Sequence, residues 1–339
     1  MLNKLLSVFV IFTLFLVSCQ TYTRVNPPFT VAFYNVENLF DTIDAPNKMD
    51  EEFMPVEPKN WNTVRYNKKL ADLARVITAI DSIKLPVLVG VCEIENDAVL
   101  NDLVAQTSLK KADYKIVWND GPDTRGIDCA LLYQPSVFKV ISSEFLPVID
   151  LNEPDFQTRE VVYVKGNIGN EEFHVFVNHW PSRRGGEEAS EHKRILAANV
   201  VRNKVNEIFT LNALPNIIIM GDMNDEPANR SLAEVLNAQP NNVLPENQQL
   251  VNLMYDEFES GKGSYNYQND WNMIDNMVIS GALINKTTGL KSKLDNGFIF
   301  HQPFMKFKNN QGDISPNRTY GREYYGGISD HFPIYMILE

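Results

Sequence analysis

The chain has 339 residues, a mass of 38.6 kDa and a formal charge of −12, a length that holds one large domain or two small ones. With 44% hydrophobic residues it can build a full core, which excludes an intrinsically disordered chain. The negative balance excludes a protein that coats nucleic acid by electrostatics alone, but not an enzyme that meets phosphates through cations and a local basic patch.

Residues 1–18 stand apart from the fold. Lys4 gives a short positive start and residues 5–17 are almost wholly apolar, too short a run for a comfortable membrane span but the length of a secretory signal core. The run ends in Leu16-Val17-Ser18-Cys19, which resembles the bacterial lipobox. That resemblance implies cleavage before Cys19, its lipidation and a place in the cell envelope, and Gln20 in the next position points to the outer membrane. Residues 19–29 are the lipidated cysteine and a polar tether with a Pro27-Pro28 pair. Of the remaining cysteines, Cys92 and Cys129 sit in apolar strand patterns and read as buried thiols.

From residue 30 onward, residues 30–38 read as the first strand, with Asn35 at its polar end. A loop with acids and three prolines covers 41–60, and 64–83 has helical spacing through Leu70, Leu73, Ala74, Ile77 and Ile80. Residues 87–95 are a central strand closed by Glu93. A short helix over 97–108 follows, with Asp97 as its cap, then strands over 114–118, 127–133 and 137–145. Arg159-Glu160 opens an apolar run at 161–164. Phe173, Val175, Val177 and His179 alternate with His174, Phe176 and Asn178, which is strand periodicity, and 188–209 is helical. Residues 271–279 and 328–333 are two further strand-and-loop segments. Strands and helices interleave while strands also come in adjacent pairs, so the prediction is one α/β domain over 30–339 with two mixed sheets packed together and helices outside.

The stretch Asn216 to Pro227 organises the rest. Its apolar residues Ile217 to Met220 predict a strand buried on both faces, and Gly221 lets the backbone turn at its end. Asp222 and Asn224, two residues apart, can then face one way, a carboxylate and an amide suited to a hard cation and a phosphate oxygen. Asn35, Glu93, Glu160, His179, Asp222, Asn224, Asp275, Asp330 and His331 all fall where a strand meets a loop. In this order, the pieces Tyr34-Asn35-Val36-Glu37-Asn38, Cys92-Glu93-Ile94-Glu95, Arg159-Glu160, Asn178-His179-Trp180, Gly221-Asp222-Met223-Asn224, Ile274-Asp275 and Ser329-Asp330-His331 resemble the endonuclease/exonuclease/phosphatase superfamily. The resemblance implies the DNase I-like fold, a four-layered α/β sandwich with the site at one rim.

The chemistry such a set supports is metal-assisted attack of water on a phosphate ester. Glu93 is the leading metal ligand, helped by Asn35 and Asp330, for Mg2+ with Mn2+ or Ca2+ as substitutes. The resemblance implies that Asp275 orients His331 as general base and that His179 with Glu160 forms a second pair donating to the leaving oxygen. It gives Asp222 and Asn224 the attacking water and phosphate oxygens, with a second metal as an alternative. Arg125, Arg183 and Arg184 lie in rim loops and can clamp phosphates. Residues 303–327 are locally basic, with Lys306, Lys308, Arg318 and Arg322 among Tyr320, Tyr324 and Tyr325, a composition that suits nucleic acid. The leading expectation is therefore an exported, metal-dependent nuclease. A phosphodiesterase or phosphatase acting on a phospholipid head group or sugar phosphate is the alternative, and a non-catalytic surface module a third. No protein partner is predicted.

Overall fold

The computed structural model describes residues 26–56 and 59–339; the signal segment and the lipidation expected at Cys19 lie outside them. In chain order the strands of the first half are β1 (Phe29–Leu39), β2 (Leu88–Ile94), β3 (Lys115–Trp118), β4 (Asp128–Tyr133), β5 (Phe138–Leu146), β6 (Val161–Ile168), β7 (Glu171–His179) and β8 (Asn216–Asp222). The second half adds β9 (Ala238–Pro240), β10 (Leu250–Asn252), β11 (Tyr265–Tyr267), β12 (Asp270–Asn272), β13 (Asp275–Ser280), β14 (Gly297–Ile299), β15 (Lys306–Lys308), β16 (Ile314–Pro316) and β17 (Ile334–Leu338). The three longest helices are α1 (Thr63–Ile80), α2 (Asp97–Val104) and α3 (Glu187–Leu211).

One sheet has six strands in the order β14-β17-β1-β2-β4-β3, the other seven in the order β5-β6-β7-β8-β13-β10-β9. Both are mixed: β1 runs parallel to β2, and β7 to β8, among antiparallel neighbours. The two-residue period of a strand builds the layers. Val31 and Phe33 of β1 meet Val175 and Val177 of β7 and Ile218 and Met220 of β8 in the core between the sheets. Tyr34 and Val36 face the other way, under α1 and α2 with Leu70, Leu73 and Leu100. Ile217 and Ile219 likewise pack beneath Ala198, Val201 and Val205 of α3. The result is the expected four layers, helix, sheet, sheet, helix. At the centre the sheets approach closely: a methyl on Gly90 would lie 3.1 Å from Met220 Sδ and from the Phe33 ring.

Local boundaries differ from the pattern reading for identifiable reasons. Helix α1 begins behind Asn62, whose side chain accepts from Val64 and Arg65 N–H, and ends at Asp81, short of the expected 83. Asp81 Oδ1 instead accepts from Ile83 and Lys84 N–H in a turn. Helix α2 is capped by Asn96 rather than Asp97 and stops at Val104. Phe298 and Ile299 belong to β14, paired to β17. Cys92 and Cys129 are free, buried and directly opposite across β2 and β4.

Candidate active site

Strand register assembles half of the site. His179, Asp222 and Asp275 are directly opposite one another across β7, β8 and β13, so three residues far apart in sequence end at one level of one sheet. Gly221 allows that close approach, because a Cβ there would sit 2.4 Å from the Asn178 carbonyl. The other sheet supplies Asn35 and Glu93 from adjacent strands that are both irregular at this level. Glu37, Asn38 and Glu93 take left-handed backbone at φ 51°, 52° and 64°, a strained conformation for non-glycine residues that re-aims the strand ends. Asn38 N–H then donates to Glu93 Oε2 at 2.8 Å. Asn35 Nδ2 donates to Glu93 Oε1 at 3.2 Å and to Asp222 Oδ2 at 3.0 Å, joining the two sheets.

Asp222 Oδ2 stands at the centre. His179 Nε2 and His331 Nε2 each lie 3.8 Å from it, and His179 Nε2 is 3.9 Å from Glu93 Oε1. These spans are too long for direct hydrogen bonds and suit groups that share a third partner. His331 Nδ1 is 2.7 Å from Asp275 Oδ2, which also accepts from Ser264 Oγ at 2.5 Å. Tyr265 lies against the His331 ring at a centroid distance of 4.9 Å. Asp330 Oδ1 is 4.0 Å from His331 Nε2, while its Oδ2 is held by Arg318 at 2.8 Å.

The electrostatics separate the two histidines. Burial lowers the pKa of His331, but the Asp275 carboxylate and its hydrogen bond, with Asp222 and Asp330, outweigh burial and raise it well above the ordinary value. His331 is thus held as imidazolium near neutral pH and has no lone pair to take a proton. His179 moves the other way, well below its ordinary value, through burial and the charges of Arg159, Arg125 and His331. Asp222 is pushed up to about 7, by burial first and by Asp275, against the opposing charge of His331.

Several expected roles do not survive this arrangement. Glu160 is not beside His179: its carboxylate accepts from Asn119 Nδ2 at 2.8 Å, and His179 Nδ1 is buried with no hydrogen-bond partner among the described residues. The residue that reaches the site is Arg159. Its guanidinium donates to the carbonyls of His179 at 3.2 Å and Trp180 at 2.7 Å and pairs with buried Asp123 at 2.9 Å. Adjacent residues of extended chain face opposite ways, so Arg159 turns in and Glu160 out. Arg183 is no free phosphate clamp, because its donors hold Asn224 O at 2.8 Å and Asn229 Oδ1 at 3.1 Å beside Glu187 and Asp225. Arg184 is exposed. Arg125 is half exposed beside Asp123 and close enough to act on His179. Asn224 N–H donates to Asp222 Oδ1 at 2.9 Å, and its side-chain nitrogen to Trp180 O at 2.9 Å, so it braces the loop. Asn35 Oδ1 accepts from Glu37 N–H at 2.9 Å and its nitrogen faces the carboxylates, an orientation that positions Glu93 and Asp222 rather than offering an oxygen to a cation.

A hard divalent cation fits the donors present. The carboxylates of Asp222 and Asp275 offer ligand atoms within 4.8 Å of one another, Glu93 Oε1 lies 3.9 Å from His179 Nε2 and Asp330 Oδ1 4.0 Å from His331 Nε2, and Asp275 Oδ1 is buried without a partner among the described residues, whereas His331 as imidazolium offers no ligand atom. Sequence reading missed Arg159 and Asp123 although Arg159 lay in a quoted motif. It also missed Ser264 and Tyr265, for which no local pattern gives a signal.

Similar structures support the fold. The chain resembles a mannosyl-6-phosphatase from Bacteroides thetaiotaomicron (TM-score 0.56, 16% identity, covering 92% of this chain and 99% of that one). It also resembles an endonuclease/exonuclease/phosphatase family protein from the same organism (0.55, 16%, 92% and 98%). D. rerio TDP2 complexed with single-strand DNA product is similar to the same degree (0.55, 14%, 93% and 100%). No curated protein matches the chain. The model of the Endonuclease/Exonuclease/phosphatase family matches residues 30–339, and with strand ends, register and fold in agreement, the chain belongs to that family.

Proposed function

We propose that this protein is a divalent-cation-dependent hydrolase of phosphate esters, with Asp222 as the base and His331 as a fixed positive charge. The observation that carries the reading is the Asp275–His331 pair at 2.7 Å with Asp222 3.8 Å from the other ring nitrogen. A carboxyl raised to about 7 is suited to accept a proton near neutral pH, and an imidazolium is suited to phosphate oxygens that gain charge in the transition state. This reverses the division expected from the family likeness, in which His331 was the base.

A bound cation neutralises phosphate oxygens so that a nucleophile can approach; Glu93, joined through Asn35 to Asp222, is the carboxylate that would hold Mg2+, or Mn2+ or Ca2+, with Asp330, 4.0 Å from His331 Nε2, as a helper. The residues do the rest. Water bonds to phosphorus as its proton passes to Asp222, and the ester P–O bond breaks with its electron pair on the departing oxygen. His179, kept neutral, can donate one N–H hydrogen bond but is a poor proton source, so the departing oxygen is protonated from solvent. Arg125 supplies a rim cation.

The finer expectation of a DNA or RNA substrate leaned on the loop over 303–327. Tyr320 packs against Trp61 and Tyr324, Tyr324 lies under Arg65, and Arg318 is paired with Asp330. That leaves fewer free groups for a polynucleotide than the composition suggested. The fold itself accommodates both substrate types, since one similar structure is described as a mannosyl-6-phosphatase and another holds single-strand DNA product. Export and an outer-membrane lipid anchor at Cys19 belong to the same proposal, supported by the apolar run and Leu16-Val17-Ser18-Cys19. Among the described residues no helix is long and apolar enough to cross a membrane.

The test is a panel of p-nitrophenyl phosphate, sugar phosphates, sphingomyelin and plasmid DNA, with Mg2+ and with chelator. Turnover of at least one ester that stops with chelator and falls about 10²–10⁴-fold in Asp222→Asn supports the reading. Metal-independent turnover, or an Asp222→Asn protein as active as wild type, would contradict it.

A further inference from the structure

The segment between β5 and β6, residues 147–160, has no helix or strand of its own, yet it ends in Arg159, which holds the His179 and Trp180 carbonyls. A connection this long without secondary structure is uncommon in a compact domain. Its middle meets the start of α3, where Asp150, Glu153 and His192 offer ligand atoms within 4.8 Å of one another. His192 Nε2 is 3.9 Å from Asp150 Oδ2 and 3.7 Å from Glu153 Oε1. We propose that these three side chains hold a Zn2+ ion that clips the 147–160 segment to α3, a structural site separate from the catalytic one and independent of the phosphoesterase reading.

Three observations carry it. The first is the tautomer. His192 Nδ1 lies 3.1 Å from the Ala189 carbonyl in the preceding turn of α3. A carbonyl only accepts, so Nδ1 carries the hydrogen, and in the neutral ring the lone pair is on Nε2, the atom aimed at both carboxylates. A metal-bound histidine is oriented in this way, through a hydrogen bond from its other nitrogen. The second is Asp150, which is 5% exposed. Its Oδ1 accepts from Asn152 N–H at 2.8 Å, which sets the direction of the side chain. Its Oδ2 makes no hydrogen bond among the described residues and faces His192. A largely buried carboxylate with one oxygen lacking a donor is costly, and a cation removes that cost. The third is spacing. Both spans to His192 exceed a hydrogen bond, whereas zinc bound at about 2.0–2.2 Å holds tetrahedral ligands roughly 3.4 Å apart, so each span would shorten by about 0.5 Å or less. The half-exposed side chains of His192 and Glu153 have room for that movement. Glu153 Oε2 is held by Lys193 at 2.8 Å, which leaves Oε1 for the ion. Water completes the fourth position, and one imidazole nitrogen among the ligands favours zinc over the oxygen-seeking Mg2+.

The test is a calorimetric titration of Zn2+ into metal-free protein carrying Glu93→Gln and Asp222→Asn, which disables the catalytic carboxylates. Zn2+ should bind, and adding His192→Ala or Asp150→Asn should weaken it at least about tenfold. Excess Mg2+ should leave the titration unchanged. Zn2+ should also raise the melting temperature of the same protein, and this rise should disappear once His192 is replaced. Zn2+ that fails to bind, or that binds the His192→Ala and Asp150→Asn proteins equally well, would overturn the inference and leave His192 as an imidazolium paired with two carboxylates. Displacement of the Zn2+ by an equal concentration of Mg2+ or Ca2+ would overturn the assignment of zinc. No turnover is read, so a protein that binds Zn2+ through His192 but hydrolyses no phosphate ester would sink the catalytic reading and keep the zinc site.

Discussion

His179 and His331 are matched in every local respect: each closes or follows a strand end, each is 5% exposed, and each stands 3.8 Å from Asp222. They differ in what lies behind the ring. Asp275 backs His331 and makes it a cation, whereas buried His179 has Arg159 and Arg125 near it and stays neutral. Two buried carboxylates repeat the contrast. Asp123 is held below its ordinary range because Arg159 and Arg125 outweigh burial, while burial with no such partner raises Glu95 to about 8. The lesson is that residue type and place on a strand do not assign a role here; the partner behind the group does.

The largest effect that would break the comparison is at the shared neighbour. Asp222→Asn should lower kcat about 10²–10⁴-fold with the fold intact, measured by steady-state kinetics and circular dichroism. Next is the pH profile. Activity should rise as Asp222 loses its proton, near 7 without metal and lower with a cation bound, and should fall again as His331 loses its own. Asp275→Asn removes the charge that raises His331, so the falling limb should move to lower pH; a limb that stays put would detach Asp275 from the mechanism.

A smaller effect should appear in stability. With Glu95 raised from 4.5 to about 8, the folded state binds more protons than the unfolded one between those values. Its contribution is present below 4.5 and is lost as pH rises to about 8, so melting temperature should drop across that window and Glu95→Gln should flatten the drop. Asp123 acts with the opposite sign, its contribution being lost as pH falls. The smallest effect is expected at Glu160: Glu160→Ala should change kcat less than about twofold, as suits a side chain bonded to Asn119 at the surface.

Much of this architecture was legible in the sequence, for reasons of period and punctuation. Alternation along β7 and the apolar run of β8 identified strands, and the polar residues at their ends marked the rim, so Asn35, Glu93, His179, Asp222, Asp275, Asp330 and His331 were found and do converge. What sequence could not supply was facing and neighbourhood. Glu160 and Arg159 exchange places because one step along extended chain reverses the side chain. Arg183 is a plausible phosphate ligand until its partners Asn224 and Asn229 are seen. Ser264 reaches Asp275 from a loop with no motif of its own, and no pattern reports the desolvation that pushes Asp222 to about 7.

The most direct test of the account is the protonation of the two rings, read by long-range 1H–15N NMR of histidine-labelled, metal-free protein at pH 7. His331 should show both ring nitrogens protonated and His179 a single neutral tautomer, with Asp275→Asn moving only His331 toward neutrality. A charged His179 beside a neutral His331 would contradict the assignment of base and fixed charge.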